Sequence, residues 1–500
     1  SVSFGSSLYS FDGTTTITSE TGSNINVAAT AEFETAGDTL TFATGTIKLA
    51  NNANLTVNSD GQVITIDSIA GTSDETVTIN ADVVAGGLNA TTTETVRIGN
   101  VGDSSHAQIH NLTIDGEDGI TLTGAIYTSG VDGDAADVKF NDKVLIDGAV
   151  TVDTDDAAGD GVIKFTTSIE AATGTGVAST QSLTLQGGAG TITLVPIGAA
   201  AGIDSLTINT QTTATADLNV KNIGSGTVDA EASSTNVAGV TGATNIGNTN
   251  AGHITFSGTI YKTDGSVTVT SDDGTNTSDK EIIFSGSSPF ISTSGDSVSF
   301  NGGEVEIQAG TLTINTLRDD AGDNSSISNG GAITFATTVY GKTDESLVLD
   351  AHSSGTGTIS LAQVGDGTTP QIAGLTATAA GGITLNGNIN TSDAGTGITF
   401  NSPVIIADST TVTITTDSGG TDGGVTFNSS VSGTGDTSTK LSNNDNLTIV
   451  SGTGDVSIGS VGTSTATVLN NLLINATAAT DTRDGNITIS GNIGSTSGST

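Results

Sequence analysis

The chain has 500 residues, including 68 glycines and 4 prolines, and its 53 acids against 12 bases give a formal charge of −41. That balance argues against nucleic acid as a partner, since phosphates would be repelled, and makes cations the expected counterpart. The absence of cysteine excludes disulfides and thiolate metal sites, and no run approaches the ~18 apolar residues that a membrane helix requires.

Only 13% of residues are charged, so the polar surface must be mostly hydroxyl and amide. Polar helix formers are scarce, while Thr, Val and Ile suit a pleated surface and Gly, Asn, Asp and Ser suit corners. Methionine is also absent. The chain opens "SVSFGSSLY" without a signal-peptide pattern and closes "GNIGSTSGST" inside what reads as another repeat. The expectation is one continuous repetitive segment, residues 1–500, of a larger extracellular protein.

In chain order, the first element is "VSFGSSLY", ending at Tyr9. Its frame returns as "ITLTGAIY" at Tyr127, "ITFSGTIY" at Tyr261 and "ITFATTVY" at Tyr340, and without tyrosine as "ITLNGNIN" from Ile383 and "ITISGNIG" from Ile487. Degenerate super-repeats therefore start near residues 2, 120, 254, 333, 383 and 487. A second motif runs through "LTFATGTIKLANNANLTV" from Leu40, "VKFNDKVLIDGAVTV" from Val138, "VSFNGGEVEIQAGTLTI" from Val298 and "ITFNSPVIIADSTTVTI" from Ile398. "VTFNSSVSG" from Val425 is a shorter copy. A third pairs two strands across a glycine turn, from Ser182, Ser346 and Asn446.

In all three motifs, three to five residues alternate apolar and polar, the period of a half-buried strand, before a Gly, Asn, Asp or Ser corner. Strands this short gain stability only by stacking. Unequal spacing between the tyrosines excludes a strict short repeat and fits a solenoid with variable loops. The alternation predicts inward ladders of Ile254, Phe256 and Ile260, and of Ile398, Phe400 and Val404. The competing architecture is a string of β-sandwich domains. The lack of linker-like boundaries, the absence of Trp and only 13 Phe weigh against it.

The wording of "GGITLNGNI", "TFNSPV" and "SGTGDVSIGSVG" resembles the repetitive regions of filamentous-haemagglutinin-like adhesins and related giant β-strand-repeat surface proteins. The resemblance covers nearly the whole chain. It implies a right-handed parallel β-helix exported to the cell surface. The amino-terminal secretion domain of two-partner-secreted members is not visible in this sequence.

Candidate chemistry is sparse. The acid groups Asp153, Asp155, Asp156 and Asp160, then Asp272, Asp273 and Asp279, then Asp319, Asp320 and Asp323 read either as weak calcium-capturing loops or as solvated turns. "GGTDGGVTF" and "GTGDVSIGS" lack the tandem register of calcium nonapeptides, and "VDGDAAD" lacks the calcium-loop glutamate. His106 and His110 would converge on a metal only in a helix, and their context reads as strand and turn. "LRDD" at residues 317–320 is the one arginine–carboxylate cluster and reads as a turn with a local ion pair. Sequons at Asn54, Asn111 and Asn446 coincide with strand starts.

The reading is therefore an all-β, right-handed parallel β-helix with irregular coils, extracellular and non-catalytic. Adhesion to a host or neighbouring cell surface, to glycans or to identical chains is the leading function. A self-assembling fibre, sheath or surface-layer protein is the alternative, with a polysaccharide-active β-helix enzyme behind both. No cofactor is expected apart from calcium at the acid groups. Tyr9, Tyr127, Tyr261 and Tyr340 are expected at equivalent surface positions, hydroxyls in water, either as inherited β-formers or as aromatic platforms for sugar rings.

Overall fold

A computed structural model describes residues 1–72, 74–82, 95–103, 108–129, 137–155, 160–174, 179–209, 218–227, 237–249, 251–271, 281–317, 329–365, 371–392, 396–417, 422–434, 445–462, 468–477 and 484–494. Among them lie 45 strands and no helix, and the strands pair in parallel, as in Leu55–Asn58 on Thr76–Asn80. The fold is a parallel β-helix with irregular coil lengths. It divides into two compact units, Ser1–Ser225 with Val237–His253, and Gly226–Asn236 with Ile254–Thr500.

In the first unit each coil visits three faces. One stacks Leu8–Phe11, Ala31–Thr35, Leu55–Asn58, Thr76–Asn80, Asn111–Asp115 and Val138–Phe140. A second stacks Thr15–Thr18, then the first halves of Leu40–Leu49, Ile64–Ala70 and Thr95–Val101, then Gly119–Leu122 and Val144–Ile146. The third carries Val2–Phe4, Asn24–Val27, the second halves of the same three long strands, and Ile126–Tyr127.

The second unit repeats the plan. Its first face begins Ile254–Phe256, Ile282–Phe284, Val305–Ile307. Its second begins Ile260–Lys262, Phe290–Ser292, Thr311–Asn315, and its third Val267–Thr270, Val298–Asn301 and the start of Ile333–Gly341.

The alternation in the sequence becomes inward ladders. Val96, Ile120, Val144 and Ile169 stand in register on four coils, and each is 0% exposed. Burial of each such side chain contributes at most about 1.5–3 kcal/mol. Equivalent phenylalanines stack face to face at close to the strand spacing: Phe140 on Phe165 at 4.9 Å, Phe300 on Phe335 at 4.8 Å, Phe400 on Phe427 at 5.1 Å. Ile254, Phe256, Ile398, Phe400 and Val404 are inward as expected. Ile260 is not: it is half-buried on the outer side, because Tyr261 takes the inward place.

Coil length varies while the ladders hold register. Ile25, Ile47 and Ile69 are partners at steps of 22 residues, whereas Ile208 to Ile246 takes 38. A buried hydroxyl at the end of a strand makes this variation tolerable. In the alternation Leu55, Val57, Ser59, the third inward residue is polar, and its hydroxyl donates to the Gln62 carbonyl three residues on. Thr154 donates to Gly161 O at 2.9 Å across 7 residues, Thr416 to Gly423 O at 2.5 Å across 7, and Thr316 to Gly331 O at 2.9 Å across 15. The latch thus ties a loop's return point to its departure whatever the length between. It also satisfies a carbonyl that no ladder could reach.

Not every buried hydroxyl is used this way. Thr128 and Thr391, each 1% exposed, have hydroxyls without a hydrogen-bond partner. The contrast is testable. Thr154→Val should cost about 1–3 kcal/mol, because it strands a buried carbonyl, and Thr128→Val should be neutral or stabilising by up to ~1 kcal/mol. Hydrogen exchange over residues 151–165 and 108–129 would resolve the two effects, since repeat arrays open locally.

Candidate functional site

The four tyrosines do not occupy one position. Tyr127 and Tyr340 each follow a fully buried residue, Ile126 and Val339, and lie half-buried on the outer side. Tyr261 is 2% exposed and points inward, in register with buried Ile291. Its ring meets Phe256 edge-on at 5.0 Å, and its hydroxyl donates to Gly258 O at 3.1 Å. Tyr9 also turns inward: it pairs with Phe33, and the two rings stack at 4.9 Å. The expectation of four equivalent surface rings is therefore corrected. In two copies the residue before the tyrosine enters the core, and in the other two the tyrosine itself does. Before Tyr9 and Tyr261 the corner between strands shifts the inside–outside alternation by one residue, and before Tyr127 and Tyr340 the alternation is kept, a difference that no pattern within a strand reveals.

Of the two outer tyrosines, Tyr340 is not an open platform. The Tyr340 hydroxyl donates to Glu281 Oε1 at 2.7 Å. Burial pushes its phenol pKa up, and the Glu281 hydrogen bond and the charges of Glu281, Glu306 and Glu304 add to the rise. The Tyr261 phenol is pushed up as well, by burial.

Of the acid groups singled out above, Asp153, Asp155 and Asp160 lie among the described residues. Asp156, Asp272, Asp273, Asp279, Asp319, Asp320 and Asp323 lie outside them, as do His106 and all of "LRDD" but Leu317. Asp160 caps a turn of the next coil, accepting from Ala189 N at 2.8 Å. Asp422 takes the same role in the second unit, accepting from Thr453 N at 2.7 Å. His110 lies against the Ser129 carbonyl at 3.2 Å.

The register assembles a different cluster. Asp82, Asp115 and Asp142 come from three successive coils of the first unit, Asp115 at the end of strand Asn111–Asp115 and the other two just past strands Thr76–Asn80 and Val138–Phe140. One carboxylate oxygen of each lies within 4.8 Å of the others, and all three residues are half-buried. The turn after Asp115 feeds two amides into the group: Gly116 N donates to Asp142 Oδ2 at 3.2 Å and Glu117 N to Asp82 Oδ1 at 2.8 Å. Asn141 Nδ2 donates to Asp115 Oδ2 at 3.2 Å.

Three carboxylates so close cannot all be charged without mutual repulsion. Asp142 is pushed up to about 6, first by burial and then by its hydrogen bond with Asp115. Asp82 is raised too, again chiefly by burial. An all-oxygen group of this kind can share a proton or hold a hard cation such as calcium. Sequence reasoning missed it because its members lie a full coil apart, and only the pairing of Asn80 with Asp115 exposes the column.

A second set of carboxylates is buried and structural. Glu75, Glu345 and Asp445 each precede a strand and are at most 3% exposed. Glu75 accepts from Thr72 N at 2.7 Å, Glu345 from Thr343 N at 2.6 Å, and Asp445 from Thr434 N at 2.9 Å and Ser409 N at 2.8 Å. Gly71, Gly341 and Gly433 make room for them, since a Cβ at any of the three would overlap a carboxylate oxygen. Arg97 reaches across to buried Asp147 at 2.8 Å. These groups knit corners and coils together.

No protein-family model, curated protein or solved structure matches the chain.

The raised pKa of Asp142 has a definite sign. Its folded value of about 6 lies above its ordinary 3.8, so its contribution to stability is complete below about pH 4 and is lost as pH rises through about 6. Asp142→Asn should therefore melt higher than the parent at pH 7.5 and equally at pH 4. Solvent screening limits the gain to about 1 kcal/mol or less. Calcium should stabilise the parent at pH 7.5 more than the variant, as read by thermal melts with and without the ion.

Proposed function

We propose that the chain is a non-catalytic segment of a larger repetitive extracellular surface protein, and that it works in attachment. It would present its faces to a host or neighbouring cell surface, to glycans or to identical chains. The observation that carries this reading is the outer side of the ladders. Thr56, Thr78 and Thr113 stand in register on three coils of the first unit, and Thr376, Thr399 and Thr426 on three of the second. A short polar group repeated at one strand spacing can hold a surface through many weak contacts acting together. The resemblance to filamentous-haemagglutinin-like adhesins supports the same reading.

Two shallow depressions in the first unit lie at coil corners. One is lined by residues 21–24 and 44–46 with Asp67, the other by Ser10, Glu34, Thr35, Ala36, Asn58 and Asp60. Each has acidic and hydroxyl or amide groups among its lining residues. Calcium enters the proposal at one place, as counter-ion to Asp82, Asp115 and Asp142. A self-assembling fibre is the second reading, favoured by the fact that a second copy has the same strand spacing on its faces.

Beads coated with the chain should be retained on cell layers or glycan-coated surfaces several-fold more than albumin-coated beads. Electron microscopy and sedimentation of the free chain separate the two readings: isolated molecules with retained attachment indicate an adhesive segment, and lateral or end-to-end assemblies a fibre. Absence of both attachment and assembly would overturn the proposal.

A further inference from the structure

The repeated "T-F-N-S" wording acquires a location in the second unit. The segments "GLTAT" from Gly374, "GITFN" from Gly397, "GVTFN" from Gly424, "DVSIG" from Asp455 and "NITIS" from Asn486 share one pattern. Each sets an aliphatic residue before a hydroxyl. Pairing sets Leu375, Ile398, Val425, Val456 and Ile487 in one column, the first four buried and Ile487 50% exposed. The outward column beside it is Thr376, Thr399, Thr426, Ser457 and Thr488. All five are half-buried or exposed.

A second outward column runs two residues further along each strand. Its amides and hydroxyls are already laddered: Asn401 Nδ2 donates to Thr378 Oγ1 at 3.0 Å, and Asn428 Nδ2 to Asn401 Oδ1 at 2.8 Å. The strip is bounded on the preceding coil by Val348 and Asp350. At the margin of its fourth row stands Asp455, whose carboxylate accepts from Asn486 N at 2.7 Å and Asn486 Nδ2 at 3.0 Å.

We infer that this strip is an attachment surface and that its ligand is an uncharged, hydroxyl-rich polysaccharide. The inference rests on the attachment reading above and gives it a place and a ligand class. Charge favours a neutral ligand. In a chain of net charge −41, the two outward columns carry no ionisable group over five coils. An acidic polymer would be repelled by the rest of the surface, whereas a neutral one meets charge only at the margins, at Asp350 and Asp455.

Geometry favours a repeating ligand. Rows lie about 4.8 Å apart and columns about 6.6 Å apart, set by the strand spacing and the rise of two residues. Stacked threonines are stiff at χ1, so their hydroxyls are held ready at little entropic cost. Composition points the same way. The strip has no aromatic ring to stack on a single sugar and no large apolar anchor of the kind that protein interfaces use. Many small hydrogen-bonding groups on a repeating grid suit the face of an insoluble polysaccharide, where weak rows add through avidity.

The test is co-sedimentation of the chain with microcrystalline cellulose and with chitin, with heparin beads as the acidic comparison. The parent should bind at least one neutral solid about tenfold better than heparin. Thr399→Val combined with Thr426→Val keeps shape and strand preference while removing two hydroxyls, and it should reduce that binding about tenfold. Thr399→Lys with Thr426→Lys should do the same, and Thr334→Val, on another face, should change nothing. If the parent binds neither neutral solid, or both double variants bind like the parent, the strip is not the site. Attachment to cells in the bead assay would then still stand, whereas a parent that adheres to nothing loses both proposals. If the variants alter self-association in sedimentation velocity and leave binding to the solids intact, a second copy occupies the strip and the polysaccharide assignment fails.

Discussion

Everything in this molecule depends on one constraint: an inward side chain must stack on its equivalent one coil away. Strands of three to five residues cannot hold themselves together. Their stability comes from columns such as Val96, Ile120, Val144 and Ile169, each fully buried and each in parallel register with the next. The stacked phenylalanine pairs show the same rule with rings. One slip of register would turn a whole row of aliphatic groups to water, so the columns tolerate little variation. The corners tolerate a great deal.

That division explains how coils of unequal length share one core. Inward positions at strand ends are taken by Ser or Thr, whose hydroxyls close loops spanning 3, 7 or 15 residues with the same kind of bond. Where a hydroxyl does not reach, a buried carboxylate does: Glu75, Glu345 and Asp445 collect amide donors beside a glycine that leaves them space. Buried polar groups in this fold are therefore mostly corner fasteners. Asp82, Asp115 and Asp142 depart from that role. Stacking brings three acids together, and their burial and mutual repulsion favour retention of a proton.

The same stacking that buries aliphatic groups inside repeats short polar groups outside. Outward positions inherit the register without inheriting the packing, so their chemistry can drift: Thr113 is followed by Lys139 and Lys164 on one face, while Thr376, Thr399 and Thr426 persist on another. A ladder of like groups is therefore a property of the fold, and a long uncharged ladder in a strongly acidic chain is a property of this sequence. That distinction is what directs attention to the strip around Thr399.

Alternation within short segments was enough to determine that the chain is all-β, that it stacks as a solenoid with irregular coils, and that Ile254, Phe256, Ile398, Phe400 and Val404 face inward. Those features are local: period two fixes parity inside a strand, and Gly, Asn, Asp and Ser mark its ends. Ile260 and the four tyrosines mark where local information stops. Tyr261 enters the core and Tyr340 does not, although both end the same motif: the corner between Ile254–Phe256 and Ile260–Lys262 shifts parity by one, whereas the continuous strand Ile333–Gly341 keeps it. The carboxylate trio was illegible for a related reason. Its members are stacking neighbours a coil apart, and with steps of 21 to 38 residues between partners on paired strands among the described residues no fixed spacing in the sequence identifies who stacks on whom.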